Sequence, residues 1–147
     1  MNLSYLAGVW YIVLSNFPMW TKGDKIKPNF NYNIETKNGI RGLSDEVKFL
    51  KNGKTKSIKG WDRPTDQENT KFIWRGSGLL SIAKSQWEIL YRSEDFSWMV
   101  IHFEKTLFTP EGYDVVCKDP KDFLRNKDQI FKKLTELKIT GLQEIPQ

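Results

Sequence analysis

Between Leu6 and Cys117 the chain is cut into eight short segments rich in β-branched and aromatic residues, punctuated by Gly, Asn, Asp and Pro. Such runs read as strands and turns: the bulky side chains suit a pleated surface, and the punctuating residues suit chain reversal. The first strand is expected from Val9 to Ser15. A long loop with Pro18, Gly23 and Pro28 leads to the second, Asn29 to Thr36, which carries Phe30, Tyr32 and Ile34 on one face and ends at Lys37-Asn38-Gly39. The third, about Asp45 to Lys51, and the fourth, about Thr55 to Asp62, flank Asn52-Gly53, a pair suited to the positive φ angles of a type I′ hairpin. The fifth is expected from Thr70 to Gly76, with room to continue past Gly78 to Ile82. The sixth, Gln86 to Arg92, places Trp87, Ile89 and Tyr91 on one side.

The seventh segment, Trp98 to Phe103, is apolar on both faces: Trp98, Val100 and His102 alternate with Met99, Ile101 and Phe103. The eighth, Tyr113 to Lys118, repeats this more weakly, so these strands must be covered outside as well as inside. The cover follows in sequence. Asp119 is a suitable N-cap, with Pro120 at the first helical position and Asp122 at the third, and Phe123, Ile130, Leu134 and Leu137 recur at helical spacing. Lys132, Lys133 and Lys138 sit near the end where the helix dipole favours cations. Residues 1–147 are therefore expected to form one domain, mainly β: an eight-stranded antiparallel up-and-down barrel (strands about 9–118) with one C-terminal α-helix (about 120–138) packed outside. Closure removes the unpaired edges of such a meander, and an eight-stranded barrel has room for one small ligand.

Gly8-Val9-Trp10-Tyr11, at the start of the first strand, resembles the G-x-W signature of the lipocalins in the calycin superfamily. Fatty-acid-binding proteins carry a similar pattern but insert two helices between their first and second strands, whereas lipocalins place a single helix after the eighth, as here. Glu94-Asp95-Phe96-Ser97-Trp98 resembles the lipocalin T-D-Y pattern, lacking its Thr and carrying Phe for Tyr. Lys118 takes the place of the basic residue that packs over the signature tryptophan; the usual residue is Arg, which stacks better. The resemblance covers about residues 3–138 and is closest in layout to bacterial lipocalins, although residues 106–112 have no counterpart in it. It implies a closed end plugged by Trp10, with Gly8 and Lys118 as structural residues, and an open end ringed by loops. The largest loop, Asn16 to Pro28, would act as a lid, with Phe17, Met19 and Trp20 covering a pocket or folding back as a small cluster of their own.

Composition narrows the function. The 147 residues are 39% hydrophobic and 28% charged, enough for a single core, and no apolar run approaches the roughly 20 residues of a membrane span. No basic leader precedes Leu6, so a cytoplasmic, reducing location is expected. One cysteine and one histidine are too few for a disulfide framework or a structural zinc site, and neither a metal nor any other cofactor is expected. The net charge of +5 is spread from Lys22 to Lys138 among Asp and Glu, as on a solvated surface, so no nucleic-acid partner is expected. A monomer or weak dimer is expected. No nucleophile, base and orienter stand together, and Cys117, in a Val-Val-Cys strand, reads as an inert buried thiol, so no catalytic residue is assigned. What composition leaves unexplained is an aromatic content of 14% that includes six tryptophans. The first reading is therefore binding or transport of a small lipophilic molecule, such as a lipid, fatty acid or pigment. Tyr32, Trp74, Trp87 and Trp98 are the candidate lining, and His102, Arg75 and Arg63 the candidate polar contacts. Strand parity leaves open which faces point inward, although Trp74 and Arg75 cannot both do so. The alternatives are an isomerase or cyclase that uses the same cavity, and an interaction module for protein or single-stranded nucleic acid.

Overall fold

Strand β1 (Gly8–Ser15) is paired along both edges, and this closes the structure. The computed structural model describes residues 1–78 and 83–147. Strands β2 (Ile26–Lys37), β3 (Ile40–Lys51), β4 (Lys54–Pro64), β5 (Lys71–Gly76), β6 (Lys84–Arg92), β7 (Trp98–Phe103) and β8 (Gly112–Cys117) follow as an antiparallel meander, each bonded to the next. β8 then pairs with β1 from Tyr11 to Ser15, and β1 pairs with β2 from Gly8 to Tyr11. The result is the expected eight-stranded barrel. The expected continuation of the fifth strand to Ile82 falls partly on 79–82, outside the described residues.

The two tight hairpins follow from their Asn-Gly pairs. Asn38 and Gly39 have φ of 50° and 76°, and Asn52 and Gly53 have 52° and 70°, the left-handed pair that matches the twist of the flanking strands. Residue pairs Lys37–Ile40 and Lys51–Lys54 close them and set the register of β2, β3 and β4.

Helix α2 (Pro120–Glu136) begins with a reciprocal cap: the Lys121 amide donates to Asp119 Oδ1 at 2.8 Å, and the Asp119 amide donates to Asp122 Oδ2 at 3.2 Å. Its Phe123, Ile130 and Leu134 pack on Val13, Trp98, Val100, Val115 and Cys117, the outward faces of β1, β7 and β8. Met99 and Ile101 of β7 point into the barrel instead, so its two apolar faces serve two separate cores. In β6 one expectation is corrected. The ladder to β7 slips between Ile89 and Tyr91, which makes Leu90 a bulge residue. Trp87 and Ile89 face the interior, whereas Tyr91 turns outward against Trp98, with ring centroids 5.0 Å apart, beneath Lys133 of α2.

The closed end is built on Trp10. Its indole N–H donates to the Leu6 carbonyl at 2.8 Å, the last residue of a 3₁₀ turn (Leu3–Leu6) that caps the barrel floor. Lys118 lies over the indole at 4.5 Å and donates to the Ala7 carbonyl at 3.0 Å, passing over Gly8, whose φ of 110° is strained for any residue with a side chain. Beside it, Asp95 accepts from both hydroxyls of Ser93 and Ser97 and from the Ser97 amide, and these bonds hold its carboxyl below the usual range. Phe96, at φ 55°, stacks on Tyr5 at 4.4 Å, which ties this turn to the floor. Where β2 diverges from β1, the C-terminal tail takes its place. β9 (Gln143–Glu144) pairs with Leu14 and Ser15, the Ile145 amide donates to Val13, and the Lys27 amide donates to Pro146.

Ile130 is fully buried beneath α2 and Leu124 is 71% exposed on the same helix. Ile130→Ala should lower the unfolding free energy by about 2–5 kcal/mol in urea titrations, and Leu124→Ala should change it by less than about 0.5 kcal/mol.

Candidate ligand-binding cavity

The inward faces of β2 to β8 leave a cavity of about 220 Å³ toward the end opposite Trp10. Its roof is the loop after β1, which contains the single turn α1 (Pro18–Thr21). Phe17, Met19 and Trp20 of this loop turn inward and line the cavity, so the loop covers the pocket as a lid should. Phe17 seats directly on Gly112, where any Cβ would collide with its ring, and meets Phe103 edge-on at 5.4 Å; Trp20 meets Phe49 at 5.6 Å. Thr106, Phe108 and Thr109, from the β7–β8 loop, complete the rim.

Aromatic rings cross the interior below the lid. Phe30 stacks on Tyr32 at 5.8 Å, Tyr32 on Trp87 at 6.0 Å, and Trp87 on Phe72 at 4.4 Å, all within about 16° of parallel. Trp74 lies against Gly60, which lacks the Cβ that would push the indole off the wall.

Three carboxyl groups interrupt this apolar lining. Asp45 of β3, Asp62 of β4 and Asp114 of β8 are buried on the inward face, Asp45 and Asp114 at the cavity surface. Asp62 Oδ1 accepts the Trp87 indole N–H at 2.7 Å. Asp45 and Asp62 share a proton in a carboxyl–carboxylate hydrogen bond, and among the described residues Asp114 Oδ1 has no hydrogen-bond partner. Burial pushes Asp62 and Asp114 from the ordinary 3.8 up to about 7, against the lowering hydrogen bonds of Trp87 and Asp45 to Asp62 and of Ser15 to Asp114, and burial together with the charge and hydrogen bond of Asp62 pushes Asp45 well up. Burial likewise raises the Tyr32 hydroxyl, and the nearby charges of Asp45, Asp62 and Asp114 reinforce it.

Of the residues singled out from sequence, Tyr32, Trp74 and Trp87 line the cavity. Trp98 does not: it lies outside the barrel under α2, because inward parity on β7 belongs to Met99 and Ile101. His102 shares that outward parity. It sits between Glu88 at 3.2 Å and Glu111 at 2.6 Å and stacks on Tyr113, away from the cavity. Arg75, opposite in parity to Trp74, is exposed, as is Arg63 beside Asp62. Cys117 is buried outside the barrel, and burial raises its thiol to about 12. The three aspartates were missed. Their signal was an acidic residue at the inward position of an otherwise apolar or glycine face: Leu43-Asp45-Val47-Phe49, Ile58-Gly60-Asp62 and Gly112-Asp114-Val116.

No family model matches the chain, and no curated protein matches it. Solved structures do. A siderocalin, Ex-FABP, is 14% identical with a TM-score of 0.70 over 97% of this chain and 95% of its own. Insecticyanin from the tobacco hornworm Manduca sexta is 12% identical with a TM-score of 0.65 over 100% and 81%. The bovine lipocalin allergen Bos d 2 is 15% identical with a TM-score of 0.60 over 98% and 94%. The chain thus has the lipocalin fold, as its element order implied.

The acids make stability fall as pH rises. Unfolded, each aspartate ionises near 4; folded, Asp62 and Asp114 keep their protons to about 7. Their favourable contribution is complete below about pH 4 and is lost as pH passes through about 7. For Asp114 the difference between 3.8 and about 7 corresponds to roughly 4 kcal/mol at most. Asp114→Asn, a near-isosteric neutral replacement, should match the parent near pH 4 and exceed it by roughly 1–4 kcal/mol near pH 8, as read by urea denaturation.

Proposed function

We propose that this protein binds and carries a small, largely apolar molecule in the cavity under the lid. One observation carries the reading: an aromatic chamber of about 220 Å³ roofed by the chain's own Phe17, Met19 and Trp20. An apolar cavity of about 150 Å³ in another protein takes up benzene, so this volume suits a body of about ten heavy atoms. Each apolar square ångström removed from water contributes about 25 cal/mol, and the aromatic walls supply most of the contact. The siderocalin of the same fold is described as functioning through dual ligand specificities. Carrying rather than converting a ligand accords with the placement of His102 and Cys117 outside the barrel.

A second reading, an isomerase, draws on Asp62 and Asp114, which titrate near neutrality beside the cavity, where acid–base groups are useful. Recovery of a chemically altered ligand after incubation with catalytic amounts of protein would favour it over carriage.

The binding reading is tested by native mass spectrometry of the gently purified protein. Tryptophan fluorescence titrations with small aromatics, both neutral (2-naphthol, 2-phenylethanol) and charged, complete the test. Trp20, Trp74 and Trp87 line the cavity, so occupancy should quench or shift emission. Val47→Phe fills the chamber from β3 and should weaken binding by more than about tenfold while leaving the fold intact. A clean apo mass with no response to any of these compounds would sink the reading.

A further inference from the structure

Resting on the reading of the chamber as a binding site, we propose that its ligand carries a protonated primary or secondary amine on a compact aromatic or apolar body, the ammonium seated against Asp45 and Asp114. Buried carboxyl groups without a cation are the ground for it. Asp45 is 95% and Asp114 99% buried and both line the chamber; Asp114 Oδ1 has no partner among the described residues, and Asp45 shares one proton with Asp62. No ion pair of the described residues involves Asp45, Asp62 or Asp114. Unsatisfied buried carboxyl oxygens cost free energy that a donor entering the chamber would recover, and an ammonium brings both the donors and the compensating charge.

The remaining groups that face the chamber agree. From β2 comes Tyr32, a donor and a π face; from β4, Asp62, held by the Trp87 indole; from β6, Trp87 and, exposed at the rim, Lys84; from β7, the ring of Phe103. Aromatic faces beside carboxylates are a favourable lining for a cation. A fatty carboxylate or other anion would meet three acids and no buried base, since Arg63 and Arg75 lie on the outside. The protein as a whole is basic at +5, so the acidic interior is a local property of these three positions.

Seating the ammonium requires an ionised carboxylate. Where the free chamber holds a proton on Asp114, binding transfers that proton from its carboxyl to solvent, and the ligand's charge takes its place.

The test is isothermal titration calorimetry of the full chain with three probes of one shape: 2-phenylethylamine, 2-phenylethanol and 3-phenylpropanoate. Near pH 7.5 the amine should bind at least about tenfold more tightly than the alcohol, with the propanoate weakest. Amine affinity should rise up to roughly tenfold per pH unit below about 7, the alcohol's should not, and paired buffers of different ionisation enthalpy should report proton release only for the amine. In Asp45→Asn and Asp114→Asn the amine's advantage over the alcohol should vanish, the ratio of the two affinities being the readout, and a parent-like cooperative urea transition near pH 5 shows that the variants are folded. Alcohol or propanoate binding as tightly as the amine would overturn the amine proposal and leave the binding reading standing. Failure of all three probes, together with an apo native mass, would overturn both.

Discussion

Everything in this structure hangs on the sharing of β1 between two neighbours. Pairing its first half with β2 and its second with β8 turns a meander into a closed wall. Closure satisfies the backbone of the edge strands, and it also creates an inside that side chains must fill or leave empty. The chain fills the Trp10 end completely and leaves the other end partly open under its lid. The outward cover of α2 follows from the same geometry. β1, β7 and β8 carry buried apolar residues on their outward faces, and these are covered because Pro120 to Glu136 lies across them.

Inside that wall the protein accepts a burden that folding alone does not call for. Three aspartates in an aromatic interior oppose stability at neutral pH, and apolar residues of similar volume would avoid the cost. Positions that work against the fold in this way are where function is to be sought. The Trp87 indole and the shared proton of Asp45 relieve Asp62, and the Ser15 hydroxyl partly relieves Asp114, yet among the described residues Asp114 Oδ1 stays without a partner and no cation offsets the cluster. The chamber is thus apolar by area and acidic by character.

Much of the barrel could be read from residue order. Asn38-Gly39 and Asn52-Gly53 determine two hairpins by local conformational preference, and Asp119-Pro120 starts α2 by satisfying its free amides. The cavity was harder to see, because it depends on which parity points inward, and that is decided by closure and by bulges. Leu90 alone sends Tyr91 to the opposite face from Ile89. Trp98 and His102 went astray for a related reason: on a strand with two apolar faces, hydrophobicity does not tell the cavity side from the helix side. Tyr32, Trp74 and Trp87 were legible as large aromatics on faces that turned inward. Asp45, Asp62 and Asp114 were passed over because a carboxylate within a strand ordinarily marks the wet face, and only a settled parity shows that these break the rule.

The C-terminal tail bears on how this barrel behaves in a crowded solution. Where β2 peels away, β1 would show a row of bare amides and carbonyls to other molecules, an invitation to intermolecular sheet growth. Gln143, Glu144 and Ile145 occupy that stretch, and Gln147 caps the Ile12 carbonyl through its side-chain amide. Residues 143–147 thereby cover a stretch of β1 edge whose amides and carbonyls would otherwise be open to pairing with another strand.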